Sequence, residues 1–435
     1  MCIGVSNLFT LIAVKLIATI VMKFLRSLDE SVKLIKAVGY IGRRGDSMDA
    51  ALFARMFVDS DVVDVERLKE KYPEADGAEF MRILYSTIYR ALPLRDELGQ
   101  ALMYSDYVRM PADMLRLLLT PQRSGQIYSA RAIEEEICAL LTLEDLEFNP
   151  EHARMMVRGM RVTSAMDKRM KALKKGMEFI GEPKNKITEK RINVIYQMVV
   201  QPFAAAEEQL LPKQYYRHKN IGQAEGDTQM QGVSYEKLPQ CMADLVEFMN
   251  TADNLDDLTK AAMIHYYILY LQPYVTGNET MARLVSFLYL VQQGYPSTLF
   301  ISFTKCIVQS RSLYEQTKQL MYKNKAESGV VDVTPFLRYY AEHVYRKAEM
   351  PLPVPKNTIE ACKRAQDEGL VTVRQKALWD FILSAYGCDE FTETQLCSDF
   401  KHISNTTVSK FLVRFVSLGL IEKTRYSGRF KYRVK

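Results

Sequence analysis

The sequence predicts a mainly α-helical protein that ends in a small domain of helices and strands. Apolar residues recur at helical spacing through most of the chain, and within residues 27–120 the series Phe80, Ile83, Leu84 and Ile88 is an example. The last seven residues alternate strictly between basic and apolar side chains, which is typical of a strand with one exposed face. A proline-rich stretch at 350–357 lies between the two patterns and favours an extended spacer.

The composition is that of an ordinary soluble globular protein. The 435 residues are enough for two or three domains with proper cores, and 48% of them are hydrophobic and 25% charged. The seven cysteines are scattered, odd in number and without the spacing of metal ligands. This pattern predicts reduced thiols in a cytoplasmic protein, and no metal site.

The first 26 residues form an apolar segment ahead of a helical region at 27–120, in which we find no catalytic motif. Residues 7–22 are strongly apolar, but they are short for a membrane span and contain Lys15. A lysine at the centre of a transmembrane helix costs about 2.5–3.5 kcal/mol. Three interpretations stay open: a start assigned too far upstream, with Met22 as the true beginning, a packed helix, or a membrane anchor, which is the least favoured.

Residues 271–291 predict the end of a buried helix, a short loop that turns on Gly277 and Asn278, and the start of a second helix. The free N–H groups at a helix start favour anions, and the helix dipole does so too. Arg283 lies in the second helix among residues that are almost all apolar. Because an unpaired buried charge is very costly, its guanidinium requires an anionic partner. These features predict a phosphate site.

The same stretch resembles the signature of the Fic family, H-P-F-x-[D/E]-G-N-G-[R/K]-x-x-R. Members of that family transfer AMP, or another phosphate-containing group, from a nucleotide to a hydroxyl of a target protein. Five positions match the signature, namely Pro273, Tyr274, Gly277, Asn278 and Arg283. The resemblance implies a Fic-like helical domain over 121–345. It also implies a small β-hairpin flap at 217–235 that pairs with an extended segment of the target protein.

Four positions depart from the signature. Gln272 stands where the family has its catalytic histidine, and a glutamine cannot accept a proton near neutral pH. Thr276 replaces the acidic residue that holds Mg²⁺ against the phosphates, and a neutral hydroxyl is a poor substitute for it. Glu279 replaces the third glycine, and Thr280 replaces the first arginine.

The resemblance implies ATP and Mg²⁺ as cofactors, and the departures argue against both. The nucleotide-binding positions that it implies are Gly277, Asn278, Glu279, Thr280 and Arg283. We therefore expect a catalytically impaired Fic-like protein that acts as a nucleotide-responsive or DNA-associated regulatory module. Two alternatives stay open. One is an active AMP transferase with non-standard site residues, since positioning and charge alone lower much of such a barrier. The other is a DNA-binding regulator in which the Fic-like part serves as a homodimer scaffold.

Two carboxylates are candidates for an anion that occupies the phosphate site. Glu279 precedes Arg283 by four residues, the order and spacing that best pair opposite charges on a helix. Residues 128–146 resemble the inhibitory helix of the family, with Glu134 at the position of its glutamate. The alternative is that Glu134, Glu135 and Glu136 form an exposed acidic cluster favoured by the helix dipole. His265 shares an apolar stripe, so we expect a hydrogen-bonded core histidine and not a relocated base.

Residues 346–366 are expected to form a linker, and residues 367–435 resemble a winged helix. The pattern predicts three helices and two strands, at 371–387, 392–400, 404–419, 420–426 and 429–435. From residue 401 on, nine lysines and arginines face a single glutamate. A DNA partner is therefore expected here. The predicted contacts are Asn405, Thr406, Thr407, Lys410, Arg425, Arg429, Lys431 and Arg433. The alternative is a wing that makes protein contacts.

Overall fold

The computed structural model of the protein describes residues 37, 48–59, 63–119, 130–157, 161–182, 187–221, 232–348, 356–388, 390–399, 404–426 and 429–435. The apolar segment at 1–26, most of the expected flap, most of the proline-rich stretch and the turn at 427–428 lie outside these ranges. Within them, no helix has the length and apolar character needed to cross a membrane.

The described residues are mainly helical, as the sequence predicts. The first elements are α1 (Ala50–Asp59), α2 (Val65–Lys71), α3 (Gly77–Thr87), β1 (Arg90–Arg95), β2 (Ala101–Tyr104), α4 (Ala112–Leu119), α5 (Ala130–Leu143), α6 (Pro150–Val157), α7 (Ala165–Ile180) and α8 (Glu189–Val199). There follow α9 (Leu238–Asn250), α10 (Asp257–Leu271), α11 (Asn278–Gln292), α12 (Phe303–Gln309), α13 (Arg311–Ser328) and α14 (Thr334–Tyr339), which continues as a π-helical segment (Tyr340–Tyr345). The last elements are α15 (Lys356–Asp367), α16 (Val373–Ala385), α17 (Glu393–Asp399), α18 (Asn405–Ser417), β3 (Ile421–Tyr426) and β4 (Arg429–Val434).

The chain forms two compact units, one of Met1–Val108 with Thr317–Pro335 and one of Arg109–Gln316 with Phe336–Lys435. In the first unit, α1, α2 and α3 pack around a core that includes Phe53 and Phe80. The expectation of helix throughout 27–120 is wrong for the antiparallel pair β1 and β2. There the burial alternates along β1, as a strand requires, so local pairing overrides the helical periodicity.

Helices α10 and α11 form the core of the second unit. From Leu258 to Leu271 every residue of α10 is buried, and so is α11 from Thr280 to Leu290. A helix that is apolar all round has no face for solvent, so it lies inside its domain. The side chain of Asp256 caps α10, and Gly277 precedes α11. The loop of the signature therefore joins two buried helices, and their packing fixes its position.

The C-terminal helices and strands are confirmed at the predicted places. The Ser404 side chain accepts a hydrogen bond from the N–H of Thr407 and caps α18, and β3 pairs with β4 along six residue pairs. Phe391 forms an isolated antiparallel β-bridge with Tyr432 of β4. The expected linker at 346–366 is wrong from residue 356 on, because α15 begins there and buries Cys362 in the C-terminal core.

Candidate functional site

The loop between α10 and α11 has a backbone held by its own side chains. Gln272 ends α10 in the left-handed region, with φ 44° and ψ 65°, and donates its N–H to the carbonyl of Ile268. The Asn278 side chain accepts from the N–H of Tyr274 at 3.1 Å and donates to its carbonyl at 2.9 Å. These two bonds close the loop. The loop backbone is therefore held by a side chain of the protein itself.

Gly277 is required by two features of its surroundings. Its φ of 79° is in the left-handed region, and a Cβ atom there would lie 2.5 Å from Cγ1 of Val200. Next to it, the ring of Tyr274 stacks on Tyr196 with centroids 3.8 Å apart. The loop thus packs closely against the end of α8.

Arg217 ties the base of the expected flap to the signature loop. Its backbone N–H donates to the carbonyl of Pro273 at 2.9 Å, and its Nε donates to the carbonyl of Gln272 at 2.8 Å. Its terminal nitrogens donate to the carbonyls of Lys219 and Val233. Residues 222–231 lie outside the described ranges, so the hairpin itself stays a prediction, but both of its ends are held by this buried arginine.

Arg283 points into the core and is 1% exposed. Its Nε donates to the hydroxyl of Thr304 at 2.9 Å, and its Nη1 donates to Nδ1 of His265 at 3.1 Å and to the hydroxyl of Tyr340. Its Nη2 has no hydrogen-bond acceptor among the described residues. Burial opposes the charged form, but the Tyr340 hydroxyl and the Glu136 carboxylate outweigh it and raise the pKa of Arg283.

The carboxylate nearest in this network is Glu136, on α5. It accepts from the hydroxyl of Ser302 at 2.8 Å and from both the N–H and the hydroxyl of Thr304. The Thr304 hydroxyl therefore lies between Arg283 and Glu136. Burial raises the pKa of Glu136, and the charge of Arg283 opposes that rise. The expectation of an exposed acidic cluster is wrong for Glu136, which is 1% exposed.

The other two glutamates of α5 point elsewhere. Glu134 pairs with Arg154 at 3.1 Å, and Glu135 pairs with Lys305 at 3.0 Å. The three residues therefore face in different directions, because successive positions on a helix are about 100° apart. An inhibitory role of Glu134 stays a prediction, and it is Glu136 that is connected to the signature arginine, through the hydroxyl of Thr304.

His265 is a fully buried core histidine, as expected. Because Arg283 can only donate, Nδ1 of His265 accepts, and this assigns the proton to Nε2. Nε2 then donates to the hydroxyl of Tyr314 at 3.1 Å, and that hydroxyl donates to Glu279 at 2.9 Å. The predicted direct pair of Glu279 with Arg283 is not formed. The two residues are connected through a histidine and a tyrosine, because the arginine side chain points away from the helix start.

Thr280, at the position of the first signature arginine, is buried and donates its hydroxyl to Glu144 at 2.5 Å. Glu144 is also paired with Arg169 of α7. A carboxylate of the protein itself therefore occupies the start of α11. Thr276, at the position of the metal-binding residue, is half-buried and presents only a hydroxyl. Within the described part of the chain there is no cluster of three or more His, Cys, Asp or Glu side chains that could hold a metal.

Residues 186–290 match the model of the Fic/DOC family. This segment is a Fic/DOC domain. A segment of 113 residues is 28% identical to the "Protein adenylyltransferase fic-1" of Caenorhabditis elegans and 27% identical to that of Caenorhabditis briggsae. These matches cover 26% of this chain, and the chain spans only a fifth (20%) of the length of these relatives.

Two solved structures are similar. A Fic family protein from Desulfovibrio desulfuricans aligns with a TM-score of 0.44 and 17% identity, over 74% of this chain and 95% of that one. A Fic domain containing signaling protein from Bacteroides thetaiotaomicron aligns with a TM-score of 0.41 and 18% identity, over 54% of this chain and 92% of that one.

Several partners of the signature residues lie outside the segment that matches the Fic/DOC model. Thr304 and Tyr340, which bond Arg283, follow the segment. Glu136, which accepts from Thr304, and Glu144, which accepts from Thr280, precede it. Sequence reasoning missed these partners and also Arg169. The only signal was indirect, since an arginine in an apolar helix must have polar neighbours.

The predicted DNA contacts fall into two groups. Asn405, Thr406 and Lys410 are exposed on the first half of α18, and Thr407 is half-buried beside the capping Ser404. In the strands, Lys431 pairs with Glu390 at 2.7 Å, Arg433 pairs with Glu422 at 3.2 Å, and the guanidinium of Arg425 lies 5.9 Å from the ring centroid of Phe430. Arg429 begins β4, and its side chain lies outside the described part.

Proposed function

We propose that the Fic/DOC domain of this protein has lost AMP transfer and serves as a binding or regulatory module. The observation that carries the proposal is the position of Arg283. An arginine that binds nucleotide phosphates must present its N–H groups to a ligand, whereas Arg283 is 1% exposed and donates to Thr304, His265 and Tyr340. Its charge is balanced inside the domain by Glu136 and, through His265 and Tyr314, by Glu279.

The remaining residues of the loop support the same proposal. Gln272 cannot act as a general base, and a lost base typically reduces a rate by about 10²–10⁴-fold. Thr276 presents no carboxylate to a hard cation, and Thr280 is already bonded to Glu144. Mg²⁺ and ATP therefore do not fit this loop well. What the loop retains is its backbone shape.

The test is titration calorimetry with ATP, with and without Mg²⁺, followed by transfer of labelled ATP to the protein itself and to a lysate. We expect weak ATP binding and no transfer. Gln272→His alone should not restore transfer, because the three other departures remain. A variant with Gln272→His, Thr276→Asp, Glu279→Gly and Thr280→Arg should gain affinity for Mg·ATP. Gln240→His, on the exposed side of α9, is the matched control, because it adds a histidine away from the loop and should bind ATP like the natural sequence. Label transfer by the natural sequence would overturn the proposal.

We propose DNA association of residues 356–435 as a second function. The supporting observation is the exposed row on α18 that contains Asn405, Thr406 and Lys410, at the end of the helix where the capping Ser404 lies. Helices of this kind enter the major groove with such residues at base edges or phosphates. The pairs of Lys431 and Arg433 reduce the charge available to DNA, so Lys410, which has no ion-pair partner among the described residues, matters more.

The measurement is a gel shift on random duplex DNA as a function of salt. Lys410→Ala with Arg425→Ala should weaken binding uniformly across sequences and lower the salt slope by about two phosphate contacts. Lys190→Ala, an exposed lysine on α8, should leave binding unchanged. A protein that shows no shift at low salt excludes this function.

A further inference from the structure

A pocket of about 630 Å³ lies beside α12, and no residue of the signature loop lines it. Small-molecule sites in proteins typically have volumes of about 300–1,000 Å³. The wall is built from α5, the turn between α12 and α13, and the π-helical segment with the residues that follow it. All these residues belong to the second unit. The pocket is thus large enough for a ligand and separate from the Fic/DOC loop.

The pocket has an excess of positive charge. Lys305, Arg311 and Lys347 contribute three cations and His343 adds a titratable group, while Glu135, which pairs with Lys305 at 3.0 Å, is the only carboxylate among the described lining residues. The Ser312 hydroxyl supplies a further donor, whereas those of Ser302 and Ser310 already donate to Glu136 and to the carbonyl of Cys306. Pockets for uncharged ligands are lined mainly by apolar and aromatic side chains. This lining indicates a polar ligand with more than one negative charge.

The cations are available to such a ligand. Arg311 donates both of its terminal nitrogens to the carboxylate of Asp145, at 2.7 Å each, and the Asp145 side chain is 74% exposed. An exposed pair is exchanged easily, since water screens it. The two parallel bonds show that this guanidinium already holds a planar pair of oxygens, the arrangement that also suits a phosphate. Lys347 is exposed and has no ion-pair partner among the described residues.

The fold also marks this wall as unusual. His343 lies in the π-helical segment Tyr340–Tyr345, and its ring stacks on Tyr339 with centroids 5.6 Å apart. π-Helical turns are rare and occur frequently at functional sites. Ser302, on the opposite wall, donates to Glu136. A ligand in the pocket would therefore lie one hydrogen bond from the buried network of Arg283.

We propose that this pocket binds a small molecule that carries at least two phosphate charges, held by Lys305, Arg311 and Lys347. The proposal does not depend on the loss of AMP transfer, because the pocket and the signature loop share no residue. Phosphates are favoured over carboxylates because three cations surround one volume, and each phosphoryl group presents three acceptor oxygens to them whereas each carboxylate presents two.

The test is titration calorimetry of the full chain with pyrophosphate, with citrate as a carboxylate of similar charge. We expect pyrophosphate to bind and citrate to bind more weakly. Lys347→Met should weaken pyrophosphate binding about tenfold, and Lys305→Met with Lys347→Met should weaken it further, since hydrogen bonds to charged groups are the strong ones. Lys347 is exposed, so its substitution should leave the melting temperature unchanged.

Two further variants separate this pocket from other sites. Lys190→Met, an exposed lysine on α8 outside the pocket, should bind pyrophosphate like the natural sequence. Gln272→Ala should do so too, because it changes only the signature loop. The proposal is overturned if millimolar pyrophosphate does not bind, if Lys347→Met leaves the affinity unchanged, or if citrate binds as tightly as pyrophosphate.

Discussion

Substituting Arg283 tests directly whether the signature arginine has become a structural residue. Its guanidinium is 1% exposed, lies 5.1 Å from the ring centroid of Phe287, and is connected to the buried Glu136 through the hydroxyl of Thr304. Removing one partner of a buried charge pair typically costs about 3–5 kcal/mol, because the other charge remains in the core. We expect Arg283→Met to lower the free energy of unfolding by that amount.

A double-mutant cycle identifies the source of this loss. Glu136→Gln retains an acceptor for Ser302 and Thr304 but removes the charge. If Arg283 and Glu136 stabilise each other, the double variant should lose about 1–3 kcal/mol less than the sum of the single variants. Urea unfolding followed by circular dichroism measures all four proteins. Arg116→Met is the control, since that arginine side chain is 79% exposed and its substitution should change stability by no more than about 0.5 kcal/mol.

The result that would refute this reasoning is a stable Arg283→Met protein. If the free energy of unfolding falls by less than about 1 kcal/mol, the arginine is not needed by the core. A measurable ATP affinity in the natural sequence that disappears in a folded Arg283→Met variant would be equally decisive. It would show that Arg283 binds the nucleotide.

Three further predictions concern single carboxylates. If Glu279 keeps phosphates away, Glu279→Gly should raise the affinity for ATP about tenfold, or ~1.4 kcal/mol. Glu279→Gln removes the charge but keeps the size of the side chain, so it shows which of the two matters. An unchanged ATP affinity by calorimetry would show that Glu279 is not the blocking anion. Glu144→Ala should lower the free energy of unfolding by about 1.5–3 kcal/mol, because Arg169 and Thr280 lose their acceptor. A decrease no larger than that from removing an exposed ion pair would contradict this. In the first unit, burial raises the pKa of Asp332 from 3.8 to about 7, so the folded state holds the proton more tightly and stability falls as pH rises from about 4 to 7. That shift of the pKa corresponds to on the order of 4 kcal/mol in the free energy of unfolding. Asp332→Asn should remove this pH dependence, which hydrogen exchange of the first unit measures. If stability falls with pH equally in both proteins, the prediction is wrong.

The sequence predicted those features that depend on local patterns. The two buried helices around the loop followed from their apolar residues, and the C-terminal strands followed from alternation. Ser404 as the cap of α18 followed from the chemistry of capping. The helix α15 was missed because its first residue follows a run of prolines, which favours extended chain over helix.

The partners of Arg283 could not be predicted from spacing. Glu136 is 147 positions away along the chain from the arginine, and Tyr340 is 57 positions away, as the sequence numbering gives. Spacing predicted a pair with Glu279 instead, because that residue is the nearest anion on the same helix. The direction in which the Arg283 side chain points depends on how its helix packs in the domain. The spacing of residues along the chain does not contain this information.

The retained and altered residues of the loop differ in what they do for the fold. Gly277 and Asn278 fix the backbone, through a close approach to Val200 and two bonds to Tyr274, and both match the signature. Gln272 and Thr280 stand where charged or titratable groups would act on a nucleotide, and both depart from it. This division is the one that the proposed loss of AMP transfer predicts. Arg217 holds the base of the expected flap to this loop through the carbonyls of Gln272 and Pro273.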